Sequence, residues 1–203
     1  VNPERADELG GRLPLADPAT LTAEQRALFD RMFARIVPWA HDAGFQTTAK
    51  NGRLIGPFNP ALLNPAVTTS LLDLHVTERA HTSLSERVRE VVILAVGAVW
   101  QADYELYAHV AVARSAGLSD AAVRMIAAGE QPSELSEQET IAQRLTQQLS
   151  ASHRVDDTLY RQAEEAFGVH GLIDIAFLVG IYHTVCATLN LFAIPAPEQA
   201  GPS

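Results

Sequence analysis

The chain has 203 residues, 47% of them apolar and 19% charged, with a formal net charge of −9. That length suits a single domain with a real buried core, and the acidic balance argues against nucleic acid or an anionic membrane as a partner. The lone cysteine, Cys186, excludes an internal disulfide. It is compatible with a reducing cytoplasm, the expected location, and no basic segment followed by an apolar stretch marks a secretory signal.

Residues 1–20, with Pro3, Gly10, Gly11, Pro14 and Pro18, read as an extended arm rather than packed structure. Residues 21–195 read as one all-helical domain and 196–203 as a tail. Thr22 to Gln25 has the capping-box pattern, so a helix should follow to about Trp39, with Pro38 setting its stop. Leu28, Met32, Phe33, Ile36 and Val37 keep helical spacing there. His41 to Gly56 is polar and reads as a loop of a length that is often functional. Asn59-Pro60 and Asn64-Pro65 each look like a cap followed by proline at the first helical position, and a helix to about Arg79 fits.

Ser83 or Ser85 caps the next helix, an apolar run that carries one carboxylate, Glu90, among Val88, Val91, Val92, Ile93 and Leu94. A tight break follows. A second helix opens near Asp103, carries Tyr104, Glu105 and His109, and stops at Gly117. Glu105 and His109 are four apart and share a face. Beyond them, Ser119 or Asp120 opens a helix ending near Gly129. Ser136 to Glu139 is a second capping box, for a polar helix to about Ser150. Asp156 or Asp157 caps another, ending near Gly168. The last helix, Gly171 to about Leu191, is apolar enough to suggest a membrane span. Asp174, His183 and Asn190 interrupt it and basic flanks are missing, so it reads as a core or subunit-interface helix. No strand alternation appears, and the expected fold class is all-α.

The run REVVILAVGAVWQADYELYAH (Arg89 to His109) resembles the core motif of the carboxymuconolactone decarboxylase and alkylhydroperoxidase D-like proteins. GPFNPALLNP (Gly56 to Pro65) is similar to that family's opening segment, and ARSAGLSDAAV (Ala113 to Val123) to its next helix junction. In the peroxidase branch the motif is a Glu, then Cys-x-x-Cys, then a His four residues after the second Cys. Here Glu90 and His109 hold the Glu and His places, while Ala102 and Glu105 stand where the cysteines would. The resemblance therefore implies an alkylhydroperoxidase D-like helical bundle without thiol peroxidase chemistry. It implies acid–base chemistry of the decarboxylase kind, free of any cofactor, on a small-molecule substrate. It also implies a homo-oligomer, a trimer or hexamer.

On this reading His109 is the general acid or base, Glu90 orients it or relays its proton, and Tyr104 or Glu105 positions the substrate; His183 joins the pocket. Glu90 lies about ten residues before the helix break, about 15 Å, and His109 about six beyond it, about 9 Å. That difference of one turn puts the two side chains within direct or one-water reach beside a pocket. Bland alternatives stand beside this. Glu90 could be a structural carboxylate paired with Arg87 or Arg89, and His109 a satisfied core histidine. Glu105 could be a surface residue and Tyr104 a packing one. Cys186, lacking a partner thiol, reads as an inert core residue, and His75 and His81 have no persuasive ligand spacing. The runner-up chemistry is a divalent metal on Glu90, Glu105, His109 and His183, though no dense ligand motif supports it. From a different class, a non-catalytic oligomeric small-molecule binder remains open.

Overall fold

The computed structural model describes residues 9–198. The first eight residues of the expected arm and the last five of the tail lie outside the described residues. The architecture is all-α, a bundle of helices. A 3₁₀ turn at Pro18–Thr20 precedes α1 (Ala23–Ala43), the single turn α2 (Phe58–Ala61), α3 (Pro65–His81) and α4 (Glu86–Trp100). Then come α5 (Asp103–Ser115), α6 (Asp120–Ala127), α7 (Glu137–Ser152) and α8 (Asp157–Leu191). Among the described residues the only bridge of β type is the isolated pair Thr48 and Leu54.

Local chemistry accounts for the helix ends. The Thr22 hydroxyl accepts from the Gln25 N–H while the Gln25 side chain accepts from the Thr22 N–H, and Ser136 and Glu139 do the same for α7. Asn64, Ser85, Ser119 and Asp156 cap α3, α4, α6 and α8 with their side chains.

Helix α4 is the centre. Every residue from Val88 to Gly97 is buried, because α5, α6, α7 and α8 all pack against it. Gln101 in the left-handed conformation (φ 50°) ends α4, and two residues later α5 begins. The chain thus folds straight back, and α5 lies beside α4. Helix α8 contains a window of mean hydropathy 1.8, long and apolar enough to cross a membrane. In this fold it packs against α3, α4 and α7. Its backbone leaves helical geometry at Gly168 (φ 64°, ψ 171°), so the expected boundary between two helices survives as a break within one element. Asp174 on α8 accepts from the Ser83 N–H (2.8 Å) and Ser83 hydroxyl (2.7 Å), fastening α8 to the α3–α4 junction.

Two expectations change. Pro38 does not stop α1, which continues to Ala43 and ends at the left-handed Gly44 (φ 91°). Proline there forgoes one bond to the Ala34 carbonyl, but both residues face solvent, where water can satisfy that oxygen. The described part of the arm is extended yet packed. Leu15 is buried, the Arg12 N–H donates to the Phe192 carbonyl (2.7 Å), and Asn59 bridges the Ala16 N–H and Pro14 carbonyl.

The loop after α1 is also more buried than its polarity suggests. Phe45, Thr47, Leu54 and Ile55 are buried. The Tyr104 hydroxyl donates to the Gln46 carbonyl (2.6 Å), and the Gln46 N–H donates to the Tyr107 oxygen (3.0 Å). At Gly56, φ is +63° and an added Cβ would lie 2.2 Å from the Tyr104 ring. Gly52 shares the positive φ (+77°) but has open space around it. Gly52→Ala should therefore cost roughly 1 kcal/mol, and Gly56→Ala distinctly more, roughly 3 kcal/mol, since backbone and ring collide as well. Urea unfolding midpoints of the two variants check the order, and equal losses would contradict it.

Candidate functional site

The α4–α5 reversal puts Glu90 of the buried helix against the inner face of α5. Four residues there make just over one turn, so Glu105 and His109 come out on the same side. Glu90 Oε2 lies 2.8 Å from His109 Nδ1 in a buried hydrogen bond. Glu105 Oε1 lies 3.3 Å from His109 Nε2, off the line of a hydrogen bond, and has no hydrogen-bond partner among the described residues. The imidazole is thus flanked by carboxylates at both nitrogens, and all three side chains are nearly closed to solvent. The Tyr182 ring on α8 meets His109 edge-on, with centroids 5.1 Å apart.

Glu105, His109 and Tyr182 form the floor of a cavity of about 660 Å³, a volume within the range of small-molecule sites. Helices α1, α3, α5 and α8 wall it, with Phe45 and Pro57 closing it from the loop before α2. Glu105, His109, Tyr104 and Tyr182 reach the lining, as does His75 on α3. Glu90 stands behind His109.

Burial governs the electrostatics. It pushes the Glu105 carboxyl up to about 7, with the Glu90 carboxylate adding to the rise and His109 opposing it. Burial pulls the His109 imidazole down, but the carboxylates of Glu90 and Glu105 outweigh it and the net direction is upward. The Tyr182 hydroxyl, raised well above the ordinary tyrosine value by burial, stays neutral. His75 is lowered to about 4, by burial first and then by the Arg89 guanidinium, so it is a neutral imidazole at pH 7.

The structure brings together Glu90, Glu105, His109 and Tyr104 and leaves His183 apart. Tyr104 presents its ring to the cavity, while its hydroxyl is spent on Gln46. Glu105 is buried rather than on the surface. His183 does not reach the lining: its Nε2 lies 2.8 Å from the Ser150 hydroxyl and its ring packs against Trp100. One residue along a helix turns the side chain by about 100°, so Tyr182 takes the inward place expected for its neighbour. The set Glu90, Glu105, His109 and His183 is consequently not assembled for a metal, and no group of three or more His, Cys, Asp or Glu among the described residues is.

The structural pairing of Glu90 with Arg87 or Arg89 is also not found. Arg87 binds Glu139 (2.6 Å), and Arg89 forms a buried ion pair with Glu78 of α3. Sequence reasoning missed Glu78, Tyr182 and His75. A buried Arg89 demands a carboxylate, which was the available signal for Glu78. Cys186 is in the core, and burial raises its thiol far above the ordinary range.

A carboxyl whose folded value exceeds its unfolded one binds more protons in the native state between the two, so it costs stability as pH rises through that window. For Glu105 the window runs from 4.5 to about 7, and the upward shift of His109 acts in the same direction. Glu105→Gln should therefore flatten the fall in stability between pH 5 and 8. At pH 8 it should be the more stable protein by up to roughly 3 kcal/mol. Denaturant titrations of both proteins at pH 5, 6.5 and 8 check this, and parallel pH profiles would refute the assignment.

Residues 65–148 match the carboxymuconolactone decarboxylase family, a span that takes in α3 to most of α7 and all of Glu90, Glu105 and His109. Among curated proteins none matches. Among solved structures, the chain resembles the alkylhydroperoxidase AhpD core of an uncharacterized peroxidase-related protein from Ralstonia eutropha JMP134. The identity is 18%, 93% of each chain is covered and the TM-score is 0.72. An AhpD-related protein of unknown function from Agrobacterium tumefaciens superposes with TM-score 0.64 at 16% identity, over 70% of this chain and 97% of that one. The debrominase Bmp8, solved as a cysteine-to-alanine variant with 2,3,4-tribromopyrrole, gives TM-score 0.67 at 13% identity, covering 86% of this chain and 89% of its own. At such identities the likeness speaks for the fold. The matched segment and its motif support a resemblance to the carboxymuconolactone decarboxylase and alkylhydroperoxidase D-like proteins over residues 65–148, with Ala102 and Glu105 at the Cys-x-x-Cys places.

Proposed function

We propose that the chain is a cofactor-free proton-transfer enzyme, a lyase or isomerase acting on a small carbonyl or carboxylate compound. The observation that carries this is the Glu90–His109–Glu105 array, with His109 and Glu105 on the wall of the cavity. Glu90 fixes the His109 ring through Nδ1 and stabilises its charged form, which leaves Nε2 free 3.3 Å from Glu105. Glu105, with a value near neutral pH, is then the group that exchanges a proton with carbon, and His109 replenishes it. A catalytic acid or base works best with a value close to the operating pH.

In an isomerisation, the Glu105 carboxylate removes a proton from carbon next to a carbonyl, the electron pair moves into the enolate, and the proton returns at another carbon. In a decarboxylation, the C–C bond to the carboxylate breaks, its electron pair forms the enolate, and the Glu105 carboxylic acid protonates the carbon after CO₂ leaves. The apolar walls keep water from competing.

The test is deuterium uptake. A panel of β-keto acids and unsaturated lactone acids is incubated with the protein in D₂O and followed by NMR. Glu90→Gln and His109→Asn should each lower uptake or CO₂ release by about 100-fold or more while circular dichroism stays native. The double variant should be little worse than either single one, since the residues act as a unit. His109→Asn with full activity would sink the mechanism. Binding without turnover throughout the panel would favour a non-catalytic small-molecule binder.

We also propose that the protein is a homo-oligomer, a trimer or hexamer. Val169, Ile173, Phe177 and Leu191 on α8 and Val67, Leu74 and Val76 on α3 are exposed, on two helices that pack against each other. That is more apolar surface than a monomer commonly leaves in water. Light scattering at micromolar concentration should give a multiple of the 21.9 kDa chain mass, and a stable monomer would overturn the assignment.

A further inference from the structure

The cavity has two chemically different ends. Its floor carries His109 and Glu105, with Glu90 behind His109. Its mouth can be located by exposure: of the charged residues in the lining, Arg31, Arg35 and Arg79 reach solvent while Glu105 and His109 do not. Between the ends the wall is overwhelmingly apolar, with Met32, Trp39, Phe45, Phe58, Leu72 and Phe192 among its members.

The charge at the mouth does not cancel. Arg31 pairs with Asp73 (2.5 Å) and Arg79 with Glu86 (3.2 Å). Arg35 has no ion-pair or hydrogen-bond partner among the described residues, so three guanidiniums face two carboxylates. In a chain of net charge −9 with 15 basic residues in all, this is a local reversal of sign beside a low-dielectric opening, where field lines concentrate. A guanidinium with a free fork is matched to a carboxylate, sulfonate or phosphate. The floor is the wrong place for such a group, because Glu90 and Glu105 would both stand near it.

We propose that the ligand of this cavity is an amphipathic anion, an apolar ring or chain bearing one acidic group, which enters body first and leaves its anionic end on Arg35. This rests on the reading of the cavity as the substrate site of an isomerisation, in which no carboxylate has to reach Glu105, and adds which class of compound it selects. Arg35 is on this account a specificity-determining residue and takes no part in the proton transfer. The apolar wall binds the body by removing its surface from water, and Arg35 sets the orientation, so the end opposite the charge is delivered to Glu105 and His109.

The test measures binding alone, with named probes. Decanoate and naphthalene-2-carboxylate are titrated into the protein at pH 7.5, each against its neutral amide. Isothermal titration is read together with the fluorescence of Trp39, which lines the cavity one helical turn from Arg35. The acids should bind with one site per chain and about tenfold or more tighter than the amides. Arg35→Gln should bring the acids to the affinity of the amides and leave the amides unchanged, and Arg35→Lys should recover part of the difference. Arg35 is exposed, so both variants should keep the native thermal transition. Equal affinity of acid and amide, absence of acid binding, or unaltered acid affinity in Arg35→Gln overturns the proposal. A protein that fails the deuterium test but shows the Arg35-dependent preference thus refutes the enzymatic reading alone, and the opposite pair of results refutes the ligand class alone.

Discussion

The structure depends on burying two adjacent ionisable residues, Arg89 and Glu90, in a helix that is enclosed on all sides. A charge taken out of water without a partner costs far more than a domain can spare. Neighbouring helices must therefore deliver Glu78 to one and His109 to the other. Adjacent residues on a helix point about 100° apart, so the two partners come from different directions, α3 and α5. Removing either member of such a buried pair typically costs on the order of 3–5 kcal/mol. The two pairs therefore fix how α3 and α5 sit against α4 as well as filling space.

That arrangement creates the site. With α3 held by Glu78 and α5 by His109, the gap between them is closed by α1 on one side and α8 on the other, and the cavity lies in it. Arg89 does a second thing there. Its positive charge, added to burial, holds His75 in the neutral form, so the wall facing Glu105 carries an uncharged imidazole. His75 and His109 both meet Tyr182 edge-on, at 5.9 and 5.1 Å between centroids, and the one aromatic ring supports both. The loop after α1, anchored through Gln46 to Tyr104 and Tyr107, supplies the remaining wall.

At the places where the resembled peroxidase motif has Cys-x-x-Cys, this chain has Ala102 and Glu105, and that changes what such a frame can do. A thiol pair exchanges electrons, whereas a buried carboxyl exchanges protons. Beside His109 and Glu90, the Glu105 carboxyl is raised to about 7 by burial, with the like charge of Glu90 adding to the rise. Cys186, the one thiol, sits in the core with its proton firmly held.

The all-helical architecture was legible from the sequence because it rests on local rules: the capping boxes at Thr22 and Ser136, Asn64 before Pro65, and Ser85 before an apolar run. The nearness of Glu90 to His109 was legible as well, since a short break forces two helices side by side and leaves only depth along the axis to be reckoned. What the sequence could not decide depends on contacts remote along the chain. Whether Tyr182 or His183 faces inward is set by how α8 rotates against α4 and α7, and Pro38 is tolerated because its side of α1 meets solvent. The arm packs because Arg12 finds carbonyls at the far end of the chain. Glu78 lies in a helix with little one-sided patterning, and only the packing of α3 on the bundle reveals it as the partner of Arg89. Periodicity reports which residues share a face of one helix; tertiary structure decides what that face meets.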